Sequence, residues 1–206
     1  VNNATVFVLD MTSQRYLTKK EVNRPEWRHW VTIVKPARVK HSTGLLYIGG
    51  GGNDDKVPSA PAELVAIARA TQSVVAEISM VPNQPLVFVG EKRARSEDAI
   101  IAYSWDKFLK TGDEKWPLRL PMTKAAVRAL DTVIDFMATQ KGGDVKVDRF
   151  VITGASKRGW TTWSMAAVDQ RVVAIIPIVI DMLNTEASFK HHRDAYGGYA
   201  EAVHDY

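Results

Sequence analysis

Asp148-Arg-Phe-Val-Ile-Thr-Gly-Ala-Ser-Lys-Arg-Gly-Trp160 is the stretch that decides the fold. An apolar run at 150–152 leads into a Gly-Ala pair, and Ser156 then stands just before a segment with helical spacing. This order predicts a strand, a sharp turn and a helix, with a serine hydroxyl at the apex. At such a turn the backbone N–H of the next residue, Lys157, faces the same space as the hydroxyl. The stretch therefore predicts a nucleophile elbow, with Ser156 as nucleophile and the Lys157 amide as half of an oxyanion hole.

The segments around this stretch alternate between apolar runs and apolar residues at helical spacing. Strands are predicted at about 5–9, 30–34, 45–48, 74–81 and 172–180. Helices are predicted at about 61–71, 96–112, 123–140 and 157–168. The alternation indicates an α/β fold, with a mostly parallel sheet and helices on both faces, in the order of an α/β hydrolase. In that fold the loop after the third strand supplies the second oxyanion donor. Four consecutive glycines at 49–52 stand at that place, so Gly50 and Gly51 are the candidate donors.

The composition is that of an ordinary globular domain. The 206 residues are 46% apolar and 24% charged, which excludes wholesale disorder. The 27 basic and 23 acidic residues include no long basic run, so nucleic acid is not an expected partner. The absence of cysteine excludes disulfides and thiolate metal sites, and no metal or other cofactor is predicted. No stretch approaches the roughly 20 apolar residues that a membrane span needs.

Arg158 departs from the usual G-x-S-x-G pattern, because it occupies the position of the second glycine, which is delayed to Gly159. It is a candidate for binding an anionic group of the substrate. The alternative is a surface arginine that pairs with an acid such as Asp169 or Asp181. Trp160 is expected to line the substrate pocket or to belong to the core.

The partners of a catalytic serine are harder to find in this sequence. Asp181, at the end of the sixth predicted strand, is a candidate triad acid, and its alternative role is a helix N-cap. His191, His192 and His204 stand too early in the chain order to be the usual base, so we expect them to line or cover the site. A metal site formed by His191, His192 and Asp194 is not expected. The histidine and the usual acid are therefore expected beyond the last residue.

This reasoning describes the sequence as the N-terminal portion of a single α/β-hydrolase domain. Leading strands are expected over 1–43, the oxyanion loop to the sixth strand over 44–181, and the start of a helical or cap segment over 182–206. The apolar strand at 172–180 would then be an unprotected sheet edge. We expect the missing C-terminal region, or a second copy of the chain, to cover it.

Three segments resemble the PhoPQ-activated pathogenicity-related family of bacterial proteins. They are Gly154-Ala-Ser-Lys-Arg-Gly-Trp-Thr-Thr-Trp163, Asp169-Gln-Arg-Val-Val-Ala-Ile-Ile-Pro-Ile-Val-Ile-Asp181 and Arg95-Ser-Glu-Asp-Ala99. The resemblance implies an α/β hydrolase with a poorly defined substrate, and it extends over nearly the whole chain. Because amoebal relatives act as autocrine proliferation repressors, it also implies a periplasmic or secreted protein, associated with virulence in bacteria.

Three functions are compatible with these residues. The first is a serine hydrolase that cleaves an ester or peptide bond of a small molecule or peptide. The second is a non-catalytic secreted signalling or virulence-associated factor on a hydrolase scaffold. The third is a short-chain dehydrogenase, whose phosphate-binding turn is similar to Thr153-Gly-Ala-Ser156. That turn requires glycines where this chain has Arg158 and Trp160. It should also be followed along the chain by a Tyr-x-x-x-Lys pair, but Tyr196 has Ala200 at the lysine position.

Overall fold

The computed structural model describes residues 3–180 and 183–206. Within them the strands are β1 (Ala4–Arg15), β2 (Glu26–Pro36), β3 (Thr43–Ile48), β4 (Val75–Ile78), β5 (Leu86–Val87), β6 (Ala94–Arg95), β7 (Arg149–Ala155) and β8 (Val172–Ile178). The helices are α1 (Ala62–Thr71), α2 (Asp98–Thr111), α3 (Arg119–Met137), α4 (Lys157–Val168) and α5 (Thr185–Tyr196), followed by a 3-10 turn at Glu201–Asp205. Among the described residues, no helix is both long and apolar enough to cross a bilayer.

Six strands form one mixed sheet in the order β1-β2-β4-β3-β7-β8. Strands β4, β3, β7 and β8 are parallel to one another, whereas β2 runs antiparallel to both β1 and β4. The short strands β5 and β6 pair separately. The leading strands are much longer than predicted, with 12 residues in β1 and 11 in β2. The outer halves of β1 and β2 carry many polar side chains. The apolar runs in the sequence therefore predicted only the inner part of this antiparallel pair.

Helices cover both faces of the sheet. Because successive side chains of a strand point to opposite sides, each central strand contributes to a core on each face. In β3, Leu46 and Ile48 belong to the larger core with α2, α3 and α4. Leu45 and Tyr47 pack instead against the smaller core formed with α1. Each fully buried aliphatic side chain contributes roughly 1.5–3 kcal/mol to folding. The strand order, the parallel centre and the two helical layers make this an α/β-hydrolase-like fold.

Three predicted helix ends differ in the structure: both ends of α3 and the start of α2. Helix α3 begins at Arg119 and ends at Met137, and Gly143 lies in a following turn, where its N–H donates to the Thr139 carbonyl at 2.9 Å. Helix α2 begins at Asp98, later than the predicted 96, and the Glu97 before it makes no side-chain capping bond. The reason is that Glu97 is held in place by a group of side chains around the serine turn, as described below.

β8 is an edge strand whose outer side has no strand partner among the described residues. Pro177 lies in it opposite Gly154 of β7. Because proline has no N–H to donate, an edge is where a sheet tolerates it. Val173 and Ile176 are about half exposed, at 50% and 51%. The expectation that something covers this edge stays a prediction.

Candidate functional site

Ser156 lies in the one-residue connection between β7 and α4, at the edge where the parallel strands end. Its φ of 54° and ψ of −120° form a positive-φ backbone that residues with side chains rarely adopt. Its N–H donates to the Ile178 carbonyl at 2.9 Å, and its carbonyl accepts from the Trp160 N–H at 3.0 Å. Such strain costs about 1–3 kcal/mol and persists only where neighbours hold the residue firmly. The hydroxyl has no hydrogen-bond partner among the described residues, so a firmly held serine carries a free Oγ.

Two glycines permit the tight crossing of strand and helix around this serine. A Cβ on Gly154 would lie 2.9 Å from the backbone carbon and oxygen of Arg158. A Cβ on Gly159 would lie 3.0 Å from the Gly154 carbonyl oxygen and 3.1 Å from that of Ile178. Gly159 therefore provides the space that the G-x-S-x-G pattern normally obtains one residue earlier.

Lys157 is the first residue of α4, so its backbone N–H has no carbonyl acceptor within the helix. The positive end of the helix dipole adds to the attraction of this group for an anion. The side chain turns away toward α2, where Nζ lies 2.9 Å from Asp98 Oδ2 and 3.1 Å from Glu97 Oε2. The backbone N–H of Lys157 is thus free, among the described residues, to bind an anion at the helix start, whereas its ammonium group pairs with two carboxylates.

The glycine run at 49–52 leaves the sheet beside the serine turn. Strands β3 and β7 are parallel neighbours, and Ile48 lies opposite Gly154. Two residues beyond this pair, the chains reach Gly50 and Ser156. The structure therefore brings the two predicted halves of the oxyanion site to the same edge of the sheet, on adjacent strands.

The carbonyl groups of the glycine loop are anchored to the segment after β4. The Val81 N–H donates to Gly49 O at 3.2 Å, and the Met80 N–H donates to Gly50 O at 2.6 Å. In a trans peptide the N–H points opposite to the C=O. The N–H groups of Gly50 and Gly51 are therefore directed away from the 80–81 backbone, and neither has an acceptor among the described residues.

The rest of the loop is fixed by two polar side chains. Asp55 Oδ2 accepts from the Gly52 N–H at 2.9 Å, and Gln84 Nε2 donates to the Gly51 carbonyl at 3.1 Å. Gly51 itself has a φ of 125°, and a Cβ there would lie 2.5 Å from Asp55 Oδ2. Only glycine fits this position, so the loop is a defined structure rather than a flexible run.

The Arg158 guanidinium is almost fully occupied by partners inside the protein. It pairs with Glu97 at 3.0 Å from Nη1 to Oε2 and 2.7 Å from Nη2 to Oε1, and its Nε donates to the Val81 carbonyl at 2.6 Å. The side chain is only 12% exposed, so the alternative of a surface arginine is wrong. Asp169 pairs instead with Arg171 at 2.6 Å. Binding of a substrate anion by Arg158 stays a prediction, since it requires displacement of Glu97.

Glu97 is the site residue that the sequence reasoning missed. Burial raises the pKa of its carboxyl, but the hydrogen bonds from Arg158 and Gln84 outweigh burial and hold the pKa at about 2. Its φ of 53° and ψ of −126° nearly repeat those of Ser156. The sequence feature that could have indicated such a carboxylate is Arg158, two residues after the elbow serine. A guanidinium held against the sheet edge needs a carboxylate partner.

Trp160 forms a packed wall beside the helix start. Its ring meets Trp105 edge-on, with the centroids 5.5 Å apart, and the Arg119 guanidinium carbon lies 3.8 Å from its centroid. Arg119 Nη1 also donates to the Lys157 carbonyl at 2.9 Å. Burial lowers the pKa of Arg119 to about 10. Contact of Trp160 with a substrate stays a prediction.

Among the described residues, no hydrogen bond joins Ser156 Oγ to a histidine or a carboxylate, and the expectation that His191, His192 and His204 line or cover the site stays a prediction. Asp181 lies outside the described residues. His191 and His192 lie on α5, which has no buried residue among those described, and His192 Nε2 accepts from the Ala200 N–H at 3.1 Å. His204 lies in the 3-10 turn. Within the described part of the chain, no cluster of His, Asp and Glu could hold a metal ion.

Comparison with known proteins gives one family and one curated relative. The sequence profile of the PhoPQ-activated pathogenicity-related protein family matches residues 1–206. Autocrine proliferation repressor protein A of Dictyostelium discoideum is 40% identical over 205 residues, which are 98% of this chain. The chain spans about two-fifths of that relative, at 41% of its length.

Solved structures of esterases are similar in outline. Acetyl xylan esterase 1 from Thermoanaerobacterium sp. is 14% identical with a TM-score of 0.47, covering 92% of this chain and 61% of its own. A cold-adapted esterase from an Arctic intertidal metagenomic library is 13% identical with a TM-score of 0.44, covering 85% and 60%. The family profile and the amoebal relative carry the assignment: the chain belongs to the PhoPQ-activated pathogenicity-related protein family.

Proposed function

We propose that the protein is a serine hydrolase that cleaves an ester or peptide bond, with Ser156 as its nucleophile. The observation that carries this proposal is the positive-φ backbone of Ser156 at the strand-helix apex, with a hydroxyl that is unpartnered among the described residues. An ordinary surface serine has no reason to be held in so unfavourable a conformation. Functional sites are where such strain is typically found.

In the proposed reaction, Ser156 Oγ attacks the substrate carbonyl carbon and forms a new C–O bond while a general base takes the hydroxyl proton. The π electrons of the carbonyl move to its oxygen, and the N–H groups of Lys157, Gly50 and Gly51 are the candidate donors to this oxyanion. Collapse of the tetrahedral adduct breaks the bond to the leaving group, which receives the proton. Water then hydrolyses the acyl-enzyme by the same steps. Asp181 is the candidate acid behind the base.

Labelling of the full-length protein with a fluorophosphonate probe tests this proposal. We expect one phosphonyl adduct on the peptide that contains Ser156, detected by mass spectrometry, and no adduct in Ser156→Ala. Ser164→Ala is the matched control, because Ser164 lies in α4, the helix that follows Ser156, and its hydroxyl donates to the Trp160 carbonyl at 3.2 Å. An unreactive wild type, or equal labelling of Ser156→Ala, would refute the nucleophile.

A second candidate is a non-catalytic secreted signalling or virulence-associated factor on the same scaffold. The observation that favours it is the 40% identity with a protein named as a proliferation repressor. Purified wild type and Ser156→Ala are added to proliferating cells and growth is followed. Equal repression by the two proteins would favour this function, and loss of repression in Ser156→Ala would favour the hydrolase.

A further inference from the structure

Three side chains and the backbone of the glycine loop and of Val81 form a closed ring of hydrogen bonds beside the serine turn. Beginning at the glycine loop, the Gly51 carbonyl accepts from Gln84 Nε2 at 3.1 Å, and the same nitrogen lies 2.6 Å from Glu97 Oε1. Glu97 pairs through both oxygens with Arg158. Arg158 Nε donates to the Val81 carbonyl. We call Gln84, Glu97, Arg158 and the Val81 backbone the bracing ring.

The ring returns to the glycine loop, so it is closed. The Val81 N–H donates to the Gly49 carbonyl, and a Cβ on Gly50 would lie 2.8 Å from Arg158 Nη2. The guanidinium therefore rests directly on the loop while its backbone belongs to the first turn of α4. A change in the distance between Gly50 and the helix start would have to break one of these contacts.

Glu97 is the member of the ring with the fewest free positions. Each carboxylate oxygen has two donors: Arg158 and Gln84 on Oε1, and Arg158 and Lys157 on Oε2. Its own N–H donates to Gln84 Oε1 at 2.8 Å. A carboxylate has about four acceptor positions. All four are filled, which explains how the chain keeps Glu97 at a positive φ without a glycine.

We propose that the bracing ring fixes the spacing between the glycine loop and Ser156, which makes Glu97 and Arg158 positioning residues for the hydrolase reaction. This inference rests on the proposed function. An oxyanion hole stabilises a transition state only when its donors lie within about 2.7–3.1 Å of the developing charge. The donors come from two separate segments, the loop and the helix, so something must hold those segments in register.

The test compares Glu97→Gln and Arg158→Lys with wild type in the full-length protein. Glutamine keeps the size of the side chain and loses the charge. Lysine keeps the charge and cannot reach Val81 and both oxygens of Glu97 at once. We expect kcat for an activated aryl ester and the rate of fluorophosphonate labelling to fall on the order of 100-fold in both, as for a misplacement of about 1 Å. KM should stay unchanged, because ground-state binding does not depend on the ring.

Arg171→Gln is the matched control. Arg171 also makes a two-fold pair, with Asp169 at 2.6 Å and Asp131 at 2.7 Å, but at the start of β8, the opposite end of the strands from Ser156. Its labelling rate should equal that of wild type. Hydrogen exchange adds a readout that needs no activity: the Met80 and Val81 amides, which donate to the glycine loop, should exchange faster in Glu97→Gln and not in Arg171→Gln.

The outcomes are separable. Slow labelling in both ring variants, with normal rates in the control and a cooperative thermal transition in all, supports the bracing ring. Wild-type rates in the ring variants overturn it, and so does an equal loss in Arg171→Gln, which would indicate a global effect of lost ion pairs. Failure of the wild type itself to react refutes the proposed function, and with it the positioning role.

Discussion

The buried His29 should make the free energy of unfolding of this protein decrease as the pH falls from 6.5 to 4. The ring lies in β2 and is 1% exposed. Nδ1 is 3.0 Å from the Ser79 carbonyl, and because a carbonyl can only accept, Nδ1 carries the proton. Nε2 then accepts from the Ser13 hydroxyl at 2.9 Å. The site is complete around a neutral imidazole and has no carboxylate to stabilise the charged form.

The magnitude follows from the pKa of this ring. Burial lowers the pKa of His29 from 6.5 to about 4, against a smaller opposing effect of its backbone hydrogen bonds. Since the folded pKa is below the unfolded one, the unfolded chain binds a proton first as the pH falls. The stabilisation is complete above pH 6.5 and is lost between pH 6.5 and 4. It amounts to about 3 kcal/mol in total, of which about 2 kcal/mol is lost by pH 5.

Urea unfolding at pH 7.5 and pH 5 measures this difference. In wild type the free energy of unfolding should fall by about 2 kcal/mol more than in His29→Asn, which keeps a donor for Ser79 and cannot be protonated. His41, which is exposed, provides the control: His41→Asn should retain the wild-type pH dependence. Parallel pH dependences in wild type and His29→Asn would refute the reasoning, whatever the absolute stabilities.

Three further outcomes are expected. Gly154→Ala should lower the free energy of unfolding by about 1–3 kcal/mol, measured by urea denaturation, because its Cβ would meet the Arg158 backbone at 2.9 Å; a change below 0.5 kcal/mol would contradict the tight crossing. Gly50→Ala should slow fluorophosphonate labelling, because its Cβ would lie 2.8 Å from Arg158 Nη2 and displace the guanidinium that braces the loop; an unchanged labelling rate would contradict this. Ile176→Lys should reduce self-association measured by light scattering and hardly change the free energy of unfolding, because the side chain is half exposed on an apolar edge strand. Unchanged self-association would contradict the assignment of this edge as the associating surface.

The sheet centre and the serine turn could be predicted because local patterns determine them. An apolar strand that runs into Gly154-Ala-Ser156 admits few conformations, and four glycines after a strand admit few roles. The turn was therefore located to the residue. The full length of β1 and β2 was not predicted, because polar residues such as Asp10, Gln14 and Arg28 interrupt the apolar runs in the outer halves of these strands.

The bracing ring could not be read from the sequence because its members are far apart along the chain. Gln84, Glu97 and Arg158 are brought together by the strand order, and each has an ordinary local explanation. Glu97 next to Asp98 is typical of a helix start, where acidic residues favour the dipole. Nothing in that pattern indicates a positive φ. Only the three-dimensional contacts distinguish a capping acid from one that is drawn into a network.

The charges around Ser156 have one more consequence, for the way a substrate arrives. Lys157 and Arg158 are both within 3.1 Å of a carboxylate, from Glu97 or Asp98, so each of these two cations is paired at the helix start. Beyond about 8 Å at physiological salt, an approaching ion is screened from whatever field remains. These residues therefore provide no long-range attraction for an anionic or a cationic substrate. For the hydrolase proposed above, these two cations therefore contribute no steering of a charged substrate toward Ser156.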